Sequence, residues 1–382
     1  MSNLKQLAEL TELPMLTVYQ ALDGVSHITP AVREQVSAAA AKLNYSLNIT
    51  IRDVAALAGV SIGTVSHVLN GSTRTKSTTR QRVLQAITEL NYRPNSIARG
   101  LKSNHTRLIG YGWHKTEDPS RPNALLDRFL YEMAQAAEAW GYHILTFAQP
   151  HPASTKPYAE LMQIGRIDGL VLSDISYNDP RINYLLKTDL PFVSFGRANS
   201  DWNFPAVDVD SKLGMKLAVE HLIARGHEQI GLLCWPEGMR IGDERLQGYY
   251  AAFEAAGLSI DQRSIRHIPN AVDAAFAATQ ELLNQQPRIT ALACANDVMA
   301  FGAKRYLDLA GLQVGVDLAL TGYDDSPIAE LLELTSVRQP IDMVAAKVIE
   351  LLIGEIEATP IARQQIVLEP TLIVRASSRK QR

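Results

Sequence analysis

The sequence predicts two small all-α units at the front of the chain, followed by a larger α/β core with parallel sheets. Three observations predict it. An ungapped internal repeat fills the first hundred residues, a basic block falls on its second copy, and from about residue 107 short apolar runs alternate with amphipathic helical ones. A length of 382 residues suits two to four folded units at roughly 100–200 residues each.

The repeat comes first. LAELTELPMLTVYQALDG (7–24) lies over VAALAGVSIGTVSHVLNG (54–71), and the match continues through Arg33/Arg80, Val36/Val83 and Ala39/Ala86 to LNY at 43–45 and 90–92. Each copy reads as short helices. In the second, Val54, Ala55, Ala58 and Val60 form a helix-and-turn pattern, and Gly59 permits the sharp turn. Ser61 stands where the next helix needs an N-cap. Thr64, Val65, Val68 and Leu69 continue that helix, Asn70-Gly71 stops it, and a third helix runs over about 77–90. Two helices around a tight glycine turn make a helix-turn-helix, whose second helix enters the major groove of DNA. The first copy has Pro14 at the capping position and Met15, Leu16 and Gln20 at the recognition positions.

Charge separates the copies. Residues 51–107 hold nine Arg or Lys against two acids, a balance of +7, whereas residues 1–50 hold three against four, a balance of −1. On a chain of net charge −3, a compact basic block is an electrostatic footprint for a polyanion; the alternative reading is a solvated basic face.

The core follows. LIGYGW (108–113), YHILTFA (142–148), DGLVLS (168–173), PFVSFG (191–196), QIGLLCW (229–235), ITALACA (289–295) and LALTGYD (318–324) read as strands. Amphipathic stretches at 126–141, 212–226, 245–257, 271–285 and 296–311 separate them. This rhythm means parallel sheets covered by helices, which bind ligands at the carboxyl ends of their strands.

Other classes lack support. There is no GxSxG, no phosphate-cradling GxxxxGK[ST], no HExxH and no Cys or His spacing for a metal, so neither an enzyme nor a cofactor or metal is expected. No apolar run reaches the roughly 18 residues of a membrane span, and the N-terminus has no secretory h-region. Two cysteines, Cys234 and Cys294, without metal spacing suit a reducing cytoplasm.

IRDVAALAGVSIGTVSHVLNGSTRTKSTTRQRVLQAITELNYRPNSIARGLKS resembles the DNA-binding headpiece of the lactose-repressor and galactose-repressor (LacI/GalR) family. The likeness extends over about 51–378, through GHEQIGLL, AND (295–297), GYDD (322–325), TSVRQP (335–340) and LEPTLIVRASS. It implies a two-lobed core like that of periplasmic sugar-binding proteins, with doubly wound parallel sheets, a ligand in the cleft and hinge crossings near 209–211, 338–340 and 370–372. The implied layout is a degenerate helix-turn-helix repeat at 1–48, a DNA-binding helix-turn-helix at 51–93, a hinge at 94–105 and an effector-binding, dimerising core at 106–382. Its first lobe takes 106–209 and 340–370, and its second takes 210–338 and 371–382.

The resemblance also implies the sites. DNA contacts fall on Ser61, Ile62, Gly63, Thr64, Ser66, His67, Asn70, Thr73, Arg74, Arg80, Tyr92, Asn95, Ala98, Arg99, Leu101 and Lys102, with Leu101 wedged into the minor groove beside Ala98. Read without the family, PNSIARGLKS is a polar linker beginning with proline. The family often has Arg where His67 stands and polar side chains at Ile62 and Gly63, so the operator sequence does not carry over. Effector contacts fall on Ser173, Gly196, Arg197, Trp202, Trp235, Arg245, Asn270, Asn296, Asp324 and Gln339. Structural alternatives stand beside them: a helix-end salt bridge for Arg245, a strand-end cap for Asp324, a helix cap for Asn296 and core packing for the tryptophans. The implied function is a cytoplasmic, homodimeric transcription repressor whose grip on double-stranded operator DNA is set allosterically by a small sugar-like effector. The alternative is a sugar-binding protein of an uptake system. SFGRANSDWNFPAVDVD and WPEGMRIGDERLQGYY resemble glucoside-responsive members, and without leucine heptads after LIVRASS no tetramerisation helix is expected.

Overall fold

The computed structural model describes residues 4–25, 27–43, 45, 49–69, 75–92, 105–114, 124–149, 154–358 and 365–378. They fall into two compact units, Met1–Asn104 and His105–Arg382.

The first unit contains α1 (Leu4–Thr11), α2 (Met15–Leu22), α3 (Pro30–Lys42), α4 (Ile51–Ala58), α5 (Ile62–Leu69) and α6 (Ser77–Glu89). These are two three-helix copies. Leu4, Leu7, Val18 and Val36 of the first copy join Val54, Val65, Val83 and Leu90 of the second in one apolar cluster. Sharing one cluster removes apolar surface of both copies from water.

The second unit is built on two six-stranded sheets. The first holds β1 (Leu108–His114), β2 (His143–Gln149), β3 (Gly169–Leu172), β4 (Phe192–Phe195), β5 (Ala206–Val209) and β11 (Gln365–Leu368). Its order is β11-β5-β4-β3-β1-β2, and every pairing is parallel. The second holds β6 (Ile230–Cys234), β7 (Ile265–His267), β8 (Ala291–Cys294), β9 (Ala319–Tyr323), β10 (Thr335–Arg338) and β12 (Thr371–Ile373). Its order is β12-β10-β9-β8-β6-β7, and β12 alone runs antiparallel to its neighbour. The central strands are buried along their whole length, as parallel strands covered on both faces must be.

Helices cover the sheets: α7 (Ala124–Ala139), α8 (Lys156–Gln163) and α9 (Pro180–Leu185) in the first lobe, then α10 (Ser211–Ile223), α11 (Arg240–Ala255), α12 (Val272–Gln285), α13 (Asp297–Leu309) and α14 (Pro327–Leu331) in the second. The chain passes between sheets three times. It leaves β5 for α10, whose Met215, Val219 and Leu222 join the second core. It leaves β10 for α15 (Ile341–Ile356), which returns Val344, Val348 and Leu352 to the first core. It crosses again between β11 and β12.

Several elements lie outside the sequence reading. β7 and β12 span three residues each, too few to show a period of two. The helix α15 buries Ile341, Val344, Ala345, Val348, Ile349, Leu351, Leu352 and Ile353 and leaves Asp342, Met343, Ala346 and Glu350 exposed. No helix among the described residues is long and apolar enough to cross a membrane.

Two expectations arise from this packing. The helices α10 and α11 approach closely at Gly248, where an added Cβ would overlap the Lys212 carbonyl oxygen and come within 2.9 Å of the Met215 Cβ. Gly248→Ala should cost about 1–3 kcal/mol by overpacking, read as a lower urea midpoint at unchanged slope. The second concerns His221, which shares a 2.7 Å hydrogen bond with Ser378, itself 2.6 Å from Thr335 Oγ1. Burial, then Arg225, push its pKa down to about 4. Between pH 6.5 and 4 the unfolded chain therefore binds a proton at this site that the folded chain refuses, and stability falls as the pH falls. His221→Gln should lose less stability than the parent across that window in thermal melts.

Candidate nucleic-acid interface and cleft site

The second helical copy has its ends fixed by local chemistry. Asp53 Oδ2 accepts hydrogen bonds from Thr50 N at 2.8 Å and Thr50 Oγ1 at 2.7 Å, closing the first turn of α4. Gly59 ends α4 with φ 63°, a conformation that a Cβ resists. Two residues on, Ser61 Oγ accepts from Thr64 N at 3.2 Å and so caps α5. Val65 and Val68 turn inward. That leaves Ile62, Gly63 and His67 exposed on one face of α5, with Thr64 and Ser66 half-buried beside them. Arg80 is half-buried and Arg82 exposed on α6. Tyr92 is buried in the headpiece cluster, which argues for packing over DNA contact. Asn70, Thr73, Arg74, Asn95, Ala98, Arg99, Leu101 and Lys102, and with them most of the 94–105 hinge, lie outside the described residues.

The cleft candidates all lie in loops after strands, with Arg245 the exception on α11. Ser173 follows β3, Gly196 and Arg197 follow β4, and Trp202 lies between β4 and β5. In the second lobe Trp235 follows β6, Asn270 β7, Asn296 β8, Asp324 β9 and Gln339 β10. Carboxyl ends of strands in open parallel sheets are where ligands bind.

Arg245 is the centre of the second-lobe set and is 1% exposed. Its guanidinium lies 3.4 Å from the Tyr323 ring centroid and 5.2 Å from that of Trp235. Nη1 donates to the Ala295 carbonyl, and Nη2 lies 3.6 Å from Asp324 Oδ1. Nε is buried with no hydrogen-bond partner among the described residues. Asp324 has φ 102°, and its Oδ1 also accepts from Gln339 Nε2 at 2.8 Å. Burial pushes its carboxyl above the usual range, against the pull of Arg245. Asn296 Oδ1 caps α13 by accepting from Met299 N at 2.9 Å, while Nδ2 donates to Asn270 Oδ1 at 2.7 Å. The cap is therefore real, and exposed Asn270 carries the hydrogen-bonding capacity onward.

The first-lobe side is held just as firmly. Ser173 shares a 2.9 Å hydrogen bond with the Tyr111 hydroxyl. The loop behind it is pinned by Arg181, 1% exposed, which donates to the Ser173 and Asp174 carbonyls and pairs with Asp179 at 2.7 Å. Gly196 has φ 104°. Trp202 is half-buried against the apolar cluster of Phe192 and Phe204, with Gln365 bonded to its carbonyl.

The sequence reading missed a ring of four charges joining the lobes. Arg197 donates to Asp208 at 2.8 Å and to Glu244 at 3.3 Å; Arg240 donates to the same two carboxylates at 3.0 and 2.5 Å. Arg197 and Asp208 belong to the first lobe, and Arg240 and Glu244 begin α11 in the second. Desolvation pushes the Glu244 carboxyl up, and Arg240 opposes it. Asp297 was also missed. It is 2% exposed, accepts from Ser336 Oγ at 2.6 Å and Ser326 N at 2.7 Å, and burial beside Asp324 raises its pKa to about 7. The one local signal was an acid in a strand otherwise apolar, AVDV, for Asp208.

Residues 50–95 match the family described as bacterial regulatory proteins, lacI family, and residues 219–378 match a periplasmic binding protein-like domain. The HTH-type transcriptional repressor PurR of Proteus mirabilis (strain HI4320) is 33% identical over 338 residues, covering 86% of this chain and 96% of that one. A solved complex of the transcriptional regulator CelR with cellobiose is 31% identical, with a TM-score of 0.67 over 86% of this chain and all of that one. The lac repressor dimer bound to operator and the anti-inducer ONPF is 25% identical, with a TM-score of 0.76 over 86% of this chain and 98% of that one.

Proposed function

The chain belongs to the lacI family of bacterial regulatory proteins, a DNA-binding transcriptional regulator, and from that premise we propose how it works. Residues 51–93 form the DNA-reading unit, residues 94–105 the hinge, and residues 106–382 the effector-binding and dimerising core. The chain represses transcription in the cytoplasm by binding and release, without catalysing a reaction. In a homodimer, two exposed α5 faces meet two operator half-sites, and paired binding gives the affinity that one small headpiece lacks.

The observation that carries the effector reading is Arg245. A buried guanidinium whose Nε has no partner costs about 1–3 kcal/mol until an acceptor arrives. A hydroxyl oxygen of a sugar supplies one, Asp324 accepts from neighbouring hydroxyls, Asn270 extends the polar set, and Trp235 offers an apolar ring for the C–H face. The relative solved with cellobiose makes a glucoside the first ligand to try. The four-charge ring bridges the lobes beside this site, so ligand that shifts Arg197 or Arg240 changes lobe angle and hinge spacing together.

Titration calorimetry against a panel of mono- and disaccharides, with operator mobility shift in the presence and absence of each binder, tests this. A binder should change operator affinity by about 5–150-fold, the usual range of coupling between sites. Saturating ligand that leaves operator affinity unmoved would sink the switch, and a panel without any binder would remove the sugar class.

A further inference from the structure

We propose that the first helical copy is an intramolecular brace for the DNA-reading unit and does not itself read bases. The inference rests on the second copy being the reader, and two independent sets of contacts carry it.

The first set joins the copies. The Asp53 carboxylate, 2% exposed, serves two helix starts at once. Oδ2 closes the first turn of α4 through Thr50, and Oδ1 accepts a hydrogen bond from Leu4 N at 3.2 Å, at the first residue of α1. The first backbone N–H groups of a helix have no partner within it, and a carboxylate there is favoured by hydrogen bonding and by the helix dipole. One acid therefore clasps the reader's first helix to the first helix of the other copy. Leu4 and Leu7, both fully buried, share the apolar cluster with Val54 and Ala55 behind that clasp.

The second set shows what became of the reading positions. An offset of 47 residues maps each site of one copy on the other. Tyr19 stands where the reader has Ser66, and it is buried at 5% exposure. Gln20 replaces His67 and bonds to His27 at 3.3 Å. Arg33 matches Arg80, but its guanidinium donates to the Val25 and Ile28 carbonyls at 3.1 and 3.5 Å. Gln35 replaces Arg82 and donates to the Thr11 carbonyl at 2.9 Å, tying α3 to the end of α1. Pro14 replaces the capping Ser61. Arg33 and Gln35 are thus turned onto the copy's own backbone, Gln20 onto His27 and Tyr19 into the core. The −1 charge balance fits the same role, because phosphate neutralisation supplies most of the affinity of a reader.

The test uses the full-length chain and the operator duplex it selects from a random pool. Thr17→Ala with Gln20→Ala alters the outward face of α2; operator Kd should stay within about twofold, and a tenfold loss in a folded variant would overturn the proposal. Leu4→Pro removes the N–H donor at a position where a helix accepts proline. Amide exchange should then quicken in α1 and also in the first turn of α4, and by more than in Leu4→Ala, which loses the same buried side chain but keeps the donor. Exchange in α4 that ignores Leu4→Pro, including a case where the first copy melts alone, would overturn the brace. If the intact chain selected no duplex, the reader assignment would fail while the exchange experiment still decided the brace.

Discussion

Arg245→Ala is expected to lower effector affinity by 100-fold or more. The guanidinium is 1% exposed, and Nε together with the N–H groups not held by the Ala295 carbonyl are the donors a ligand would meet. A charge-assisted hydrogen bond contributes about 1.5–3 kcal/mol, and a lost pair of them accounts for that factor. The change also removes the cation 3.6 Å from the Asp324 carboxylate, which keeps only its hydrogen bond from Gln339 among the described side chains. Breaking one side of a buried pair typically costs about 3–5 kcal/mol of stability. Arg245→Lys should not rescue, since an ammonium cannot span the Ala295 carbonyl and Asp324 from between the two rings. Calorimetry on folded protein, checked by circular dichroism, separates the two losses. Asp324→Asn keeps the shape and removes the charge, so it should weaken binding with a smaller stability loss. Unchanged ligand affinity in both variants would move the site elsewhere.

The second large effect concerns DNA. Arg74→Ala with Arg80→Ala should weaken operator binding by at least tenfold on every sequence tested, because both belong to the +7 block. Each phosphate contact adds about 0.9 to the salt slope, so losing two per protomer should flatten the dimer's slope by roughly 3–4. Deleting residues 1–48 should leave the slope nearly unchanged even where α4 loosens, because a copy with a −1 balance takes few phosphate contacts with it. Filter binding across a salt series reads both. A truncation that folds and dimerises yet loses a full half-site of footprint on each arm would make the first copy a reader.

The contrast between the copies shows how far local sequence reaches. Gly59, Ser61 and the spacing of Val65 and Val68 specify a turn and a helix without reference to anything distant. The same holds for the short apolar runs, whose strands begin and end within one or two residues of the reading. Position at a strand's carboxyl end likewise put Ser173, Gly196, Asn296, Asp324 and Gln339 at the loops where the structure has them. The sequence alone therefore determined the repeat, the helix-turn-helix and the parallel α/β core.

Tertiary structure decided the pairings. Leu4 meets Asp53 across 49 residues, Arg197 meets Glu244 across 47, and Arg240 meets Asp208 across 32. Nothing within a turn or a strand of Asp53 reveals that its second oxygen serves another helix. Nor does the RIGDER segment reveal that two of its charges close a ring with the other lobe. Periodicity, caps and turns are short-range because they arise from backbone geometry over a few residues. Which charge neutralises which, and which N–H a carboxylate finds, depends on how the chain closes on itself, and that is settled by burial of apolar surface throughout the unit.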